Sequence, residues 1–202
     1  MDLFPDPAPQ TLTLPDSQLV FYPAIELGQS PEVLLTSLLK ETPWSQEDIT
    51  VFGKTHPQPR LLAWYGDKGA TYAYSGIAHE PLEWTETLSA LRLQMEILCQ
   101  CKFNSVLLNY YRDHRDSMGL HADDEAELGR EPVIASLSLG EQRSLYFKHK
   151  TRRELKTFNL PLPSGSVLVM RGPTQRFWKH GLRKLGKPCG PRVNLTFRYI
   201  HH

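Results

Sequence analysis

Arg192-Val193-Asn194-Leu195-Thr196-Phe197-Arg198 alternates without a break. In an extended chain successive side chains point to opposite faces, so Arg192, Asn194, Thr196 and Arg198 share one face and Val193, Leu195, Phe197 and Tyr199 the other. An apolar face backed by two arginines, an amide and a hydroxyl has two readings. On a barrel wall, the cations face inward and require an anion, because an unpaired buried charge is costly. Arginine grips carboxylates through two parallel hydrogen bonds, so a dicarboxylate suits such a wall. On an exposed sheet, the polar face is simply solvated. Asn109 and Tyr111 also share one face of the predicted strand Ser105–Tyr111 and offer an amide and a phenol to the same region.

Outward from that strand, the chain changes character. Residues 1–16 hold four prolines and little periodicity, which predicts an irregular arm, with a single domain over 17–202. Gln18–Tyr22 reads as a first strand. Ser30-Pro31-Glu32 is a helix start, a capping serine followed by proline and an acid, and Val33, Leu34, Leu35, Leu38 and Leu39 give that helix an apolar face. Ile49–Phe52, Leu61–Tyr65 and Ala70–Ser75 read as short strands, and Leu88, Leu91, Met95 and Leu98 place an amphipathic helix over 84–100. Beyond it come strands at 105–111, 133–139, 145–148, 167–170 and 192–200. One or two early helices and about seven or eight later strands predict an α+β protein, an antiparallel barrel or jelly roll with helices packed outside.

Composition excludes several classes. Apolar content is 40% and charged content 22%, with no apolar run near the ~20 residues a membrane helix needs. The acidic, proline-rich start Met1–Asp6 does not read as a secretory signal. Cys99, Cys101 and Cys189 are odd in number and lack framework spacing, which fits a reducing compartment. The expected location is the bacterial cytoplasm at the nucleoid, or the nucleus in a eukaryotic host. The net charge of +1 conceals an asymmetry: residues 143–202 carry 14 Lys and Arg against the single acid Glu154. That imbalance points to a polyanionic partner, most often nucleic acid.

Two imidazoles and a carboxylate on one side of a metal leave three positions open, an arrangement that suits Fe(II). His121 and Asp123, two apart, point to the same side of an extended segment, and His180 is available from a later strand or loop. His114 and Asp116 form an identical pair, so spacing alone does not choose between them.

These residues together resemble the AlkB dioxygenases. The likeness rests on Asn109-Tyr110-Tyr111, on Met118 to Glu125 with its His-Ala-Asp, on His180 and on the 192–198 strand. It covers about residues 45–200. The resemblance selects His121, Asp123 and His180 as ligands of Fe(II). It assigns 2-oxoglutarate to Asn109, Tyr111, Arg192, Asn194, Thr196 and Arg198, with O2 as co-substrate. It implies a double-stranded β-helix (jelly-roll) core at about 105–200 and an N-terminal nucleotide-recognition hairpin region at about 45–80.

Within the family, Val51-Phe52-Gly53, Arg60 and Thr71 to Gly76 are similar to the subgroup that repairs alkylated bases in duplex DNA. There an apolar wedge fills the gap left by a flipped base, offsetting an unstacking cost of a few kcal/mol. Phe52 corresponds to the wedge and Tyr74 to the aromatic stacking on the base opposite His121, with Tyr72 and Ser75 beside it. Asp124 and Glu125 correspond to readers of an exocyclic amine. The implied activity is oxidative demethylation of N1-methyladenine and N3-methylcytosine in DNA with release of formaldehyde, by a monomer acting on a duplex. The alternatives are the same chemistry on RNA, a cupin-like protein that binds metal without turnover, and a structural nucleic-acid binder.

Overall fold

The computed structural model describes residues 8–51, 53–70, 72–74 and 77–201. In chain order the elements are β1 (Gln10–Leu12), β2 (Gln18–Tyr22), α1 (Pro31–Glu41), β3 (Asp48–Val51), β4 (Lys54–Pro57), β5 (Leu61–Gly66), β6 (Tyr72–Tyr74) and β7 (Ile77–His79). Then follow α2 (Glu86–Cys99), β8 (Ser105–Tyr111), β9 (Met118–His121), β10 (Ile134–Gly140), β11 (Arg143–His149), β12 (Phe158–Leu162), β13 (Val167–Arg171), the short α3 (Thr174–Phe177), β14 (Trp178–Leu182) and β15 (Arg192–Arg198). A major sheet of order β1-β2-β13-β10-β15-β8-β5 faces a minor sheet of order β12-β11-β14-β9, and β3–β4 and β6–β7 are separate hairpins. All these pairings are antiparallel, giving the expected jelly-roll α+β architecture.

The two helices follow from their caps and stripes. Ser30 Oγ accepts from the Val33 amide and Thr85 Oγ1 from the Leu88 amide, satisfying donors that each first turn leaves open. Leu34 and Leu38 of α1 and Leu88, Leu91, Met95 and Cys99 of α2 pack on Val193, Leu195 and Phe197 of β15. That burial fixes the orientation of the strand: its apolar face is under the helices, so its polar face must look into the space between the sheets. A second core, including Leu19, Phe147, Leu160, Met170 and Trp178, closes the far end of that space.

The irregular arm expected over 1–16 is corrected at β1, which pairs with β2 in register Gln10↔Phe21. The Trp178 indole donates to Pro15 O at 2.8 Å, pinning the arm to the minor sheet. Gly140 ends β10 at φ +88, and a Cβ there would meet Pro191 O and, at 2.9 Å, Leu35 Cδ2. Gly140→Ala is therefore expected to lower stability by about 2 kcal/mol or more, read as a shift of the urea midpoint with unchanged slope. An unchanged midpoint would show that the β10–β15 junction tolerates a side chain.

Candidate active site

His121 ends the edge strand β9, and its cross-strand partner on β14 is His180. The two rings lie 4.4 Å apart at 60°. Asp123 follows on the loop after β9, its Oδ1 3.7 Å from His121 Nε2 and its Oδ2 4.0 Å from His180 Nε2. Among the described residues this trio is the one group of His, Cys, Asp or Glu whose ligand atoms converge, all within 4.8 Å of one another. The rival pair is not convergent. Asp116 accepts from the Arg112 backbone and guanidinium at 2.8–2.9 Å, which makes it the anchor of a loop.

The local chemistry fits a divalent metal. His121 Nδ1 lies 3.0 Å from Gly119 O, a carbonyl that can only accept, so Nδ1 is the donor there and Nε2 is the nitrogen turned toward Asp123. Burial and the neighbouring His121 ring push His180 down to about 3, opposed by Asp123, so its imidazole is neutral. Burial works against ionisation of Asp123, but Arg198 and the two imidazoles outweigh it and hold the carboxyl below its ordinary range. Arg198 Nη2 donates to Asp123 Oδ1 at 2.8 Å, and the Asp123 amide donates to Gln175 Oε1 at 3.0 Å. Asp123 Oδ2 is buried without a hydrogen-bond partner. A bound cation would supply that partner.

Opposite the trio, the polar face of β15 forms the other wall of the same cavity, with Arg192, Asn194, Thr196, Arg198, Tyr111 and Ser136 in its lining. Arg192 is 2% exposed. Its Nη2 donates to Ser138 Oγ at 2.9 Å, its guanidinium lies 5.2 Å from the Tyr111 ring centre, and its Nε has no partner. Among the described residues no carboxylate pairs with it. Burial draws it down to about 10, opposed by Tyr111 and reinforced by the cation of Arg143. An anion in the cavity removes that penalty. Asn194 is engaged more locally, donating to Ser136 Oγ and Leu137 O and accepting from Thr196 Oγ1.

Asn109 stands opposite Asn194 in register, but it does not line this cavity: its Oδ1 takes the Nε–H of Arg60 at 2.7 Å. Arg60 is itself buried and lines a second, largely apolar pocket of about 310 Å³ with Leu62, Trp64, Leu82, Leu107, Glu47 and Glu80. Arg198 lines both spaces, so the larger pocket adjoins the trio.

The remaining expected contacts are distributed unevenly. Val51 and Gly53 belong to the β3–β4 hairpin, whose register Val51↔Lys54 leaves a two-residue turn with Gly53 at φ +74. Phe52, Thr71, Ser75 and Gly76 lie outside the described residues, and Tyr72 and Tyr74 are described as backbone of β6 only. Asp124 is exposed and paired with Lys150 at 2.7 Å, whereas Glu125 keeps Oε2 buried and unpartnered. Of the basic residues around His180, Arg171 is turned away, donating to Cys99 O at the end of α2. Sequence reasoning missed Ser136, Ser138, Gln175 and Arg143. The two serines were readable from the alternation Ile134-Ala135-Ser136-Leu137-Ser138-Leu139; the other two carry no local signal.

Fold and site define a class: a jelly roll with an open two-histidine, one-carboxylate metal seat facing a buried arginine strand. Residues 20–198 match the 2OG-Fe(II) oxygenase superfamily model. The mouse alpha-ketoglutarate-dependent dioxygenase alkB homolog 3 is 39% identical over 92% of this chain and 67% of its own length. The human DNA oxidative demethylase ALKBH2 is 42% identical over 75% of this chain and 60% of its own. Among solved structures, OsALKBH1 superposes with TM-score 0.63 at 21% identity, covering 95% of this chain and all of that one. A 2OG-Fe(II) oxygenase-family oxidoreductase from Burkholderia pseudomallei shares the fold at TM-score 0.59 and 13% identity, covering 91% and 85% of the two chains. The chain belongs to the 2OG-Fe(II) oxygenase superfamily and, within it, to the AlkB family. The donor set and the family agree on Fe(II) and 2-oxoglutarate as metal and co-substrate. The chain spans about three fifths to two thirds of the length of these curated relatives.

Proposed function

We propose that this chain is an Fe(II)- and 2-oxoglutarate-dependent demethylase that restores N-methylated bases, N1-methyladenine and N3-methylcytosine, in DNA. The observation that carries the reading is the pairing of two buried deficits across one cavity: the unpartnered Asp123 Oδ2 on one wall and the unpaired Arg192 guanidinium on the other. A metal satisfies the first and a dicarboxylate the second, which a cupin that only stores metal does not need.

His121, Asp123 and His180 would hold the iron, and Arg192 would take the far carboxylate of 2-oxoglutarate. When bound, the pair supplies an oxidation in which O2 and 2-oxoglutarate are consumed, succinate and CO2 are formed, and the N-methyl group is hydroxylated and leaves as formaldehyde. The chain's own residues orient and exclude. Arg198 fixes the Asp123 carboxylate, the Gly119 carbonyl fixes the His121 tautomer, and Leu145, Met170 and Leu182 keep the cavity apolar around its polar ends. The adjoining pocket of about 310 Å³ is large enough for an extruded base, with Trp64 and Leu82 on its walls and Glu47 and Glu80 available to exocyclic amines.

The substrate reading draws on ALKBH2, a DNA oxidative demethylase, and on the resemblance of Val51-Phe52-Gly53 to the wedge segment of the duplex-repair subgroup. Phe52→Ala is expected to slow repair of a methylated duplex about tenfold and repair of the same single strand less than twofold, because only the duplex has a stack to refill. Equal losses on both would remove the wedge. RNA is the second reading, and the relative rates on matched methylated DNA and RNA oligonucleotides decide it.

A further inference from the structure

One buried cation takes no part in the chemistry above. Arg143 begins β11, is 2% exposed, and forms no ion pair among the described residues. The nearby carboxylates are spent elsewhere, Asp113 on Arg115 and Asp116 on Arg112. Its guanidinium instead donates to three main-chain carbonyls, Nη1 to Asp113 O at 3.3 Å and Nη2 to Asp116 O at 3.0 Å and to Arg183 O. Three carbonyls do not neutralise the charge as a carboxylate would, but they occupy donors of one rigid five-donor fork and so tie together the backbone segments they belong to.

Where those carbonyls lie gives the clasp its consequence. Asp113 and Asp116 are in the loop that leads from β8 into β9, five residues or more before His121. Arg183 is the residue that follows β14, three beyond His180. The ladder joining β9 to β14 is thin: His121 pairs with His180, Met118 with Leu182, and the register slips between them. β9 is the edge strand of the minor sheet, with no strand on its other side among the described residues. The metal ligands sit at one end of this short ladder and Arg143 closes the other, helped by the Leu185 amide donating to His114 O.

We infer that Arg143 is a positioning residue that sets metal affinity by clasping the β8–β9 loop to the exit of β14, so that His121 and His180 stay in register. Arginine is suited to this because its planar fork reaches carbonyls on two separate segments at once, which a lysine ammonium on a flexible stem does not. The inference rests on the metal site of the proposed function.

Cobalt(II) binding to the metal-free protein tests it without turnover, read by calorimetry and by the visible absorption band of the bound ion. Arg143→Lys and Arg143→Met are compared with wild type, and with Leu34→Ala, a core substitution on α1 that lowers stability from outside the sheet carrying β9 and β14. At a temperature where circular dichroism shows every protein folded, both Arg143 variants are expected to raise the cobalt Kd tenfold or more and to alter the band. Leu34→Ala should leave Kd and band unchanged. Outer residues that orient metal ligands typically change affinity by about 10–100-fold, which sets the expected size. Should Arg143→Met not fold, Arg143→Lys carries the comparison alone. A folded Arg143→Lys that binds cobalt within twofold of wild type, with the same band, overturns the inference and leaves the metal site standing. Failure of the wild type to bind cobalt overturns the metal site itself.

Discussion

His121→Ala is expected to remove the proposed demethylation and to leave DNA affinity within about twofold of wild type. The size of the first effect follows from the donor set. With His121 gone, the metal keeps Asp123 and His180 alone on this side of the cavity, and no other His, Cys, Asp or Glu among the described residues converges there. Loss of an outer residue that merely orients a ligand already costs about 10–100-fold in metal affinity, so loss of a ligand exceeds about 100-fold. The small second effect follows from position: the His121 side chain is 28% exposed at the end of an edge strand, and its removal leaves both cores intact. Formaldehyde release and fluorescence anisotropy of a labelled duplex measure the two quantities on one preparation. Normal turnover in the variant would mean that the metal is held elsewhere.

Arg192→Met has two expected effects of opposite sign. The KM for 2-oxoglutarate rises about 100-fold, equivalent to about 2.7 kcal/mol, as expected when a buried charge-assisted pair loses one partner. The free protein is not destabilised, and its melting temperature holds or rises. Replacing an unpaired buried cation by an apolar side chain of similar length removes a desolvation penalty, and the bond it gives up is one to Ser138. Thermal unfolding with and without 2-oxoglutarate separates the effects, since a ligand raises the melting temperature of a protein that binds it. Wild type should gain stability from the co-substrate and the variant should not. A lower melting temperature with unchanged KM would make Arg192 a structural residue.

The strand 192–198 was legible because its period-2 alternation is complete, though whether its polar face is buried or solvated depended on the helices that cover the other face. The capped start of α1 at Ser30 and the stripe of α2 were legible for the same local reasons. The strands that carry His121 and His180 were not. Met118-Gly119-Leu120-His121 and Trp178-Lys179-His180-Gly181-Leu182 are short, hold glycine, and derive their order from pairing with each other. Phe158–Leu162 hides behind Pro161, which is tolerated because β12 is an edge strand. The contacts of Gln175 with Asp123 and of Arg143 with three carbonyls join residues far apart in the chain, so no window of sequence displays them. Asn109 shows the converse: its face was read correctly, but its amide oxygen is taken by Arg60, whose approach depends on how β5 pairs with β8.

The most direct measurement reconstitutes the protein with Fe(II) without oxygen, adds 2-oxoglutarate and a duplex bearing one N1-methyladenine, and then admits air. Succinate and formaldehyde should appear in about equal amounts as the methylated base is lost, with neither product formed when Asp123→Ala replaces the wild type. Succinate without formaldehyde, or a lesion left intact by fully metallated protein, would contradict the reading of this cavity as a base demethylase.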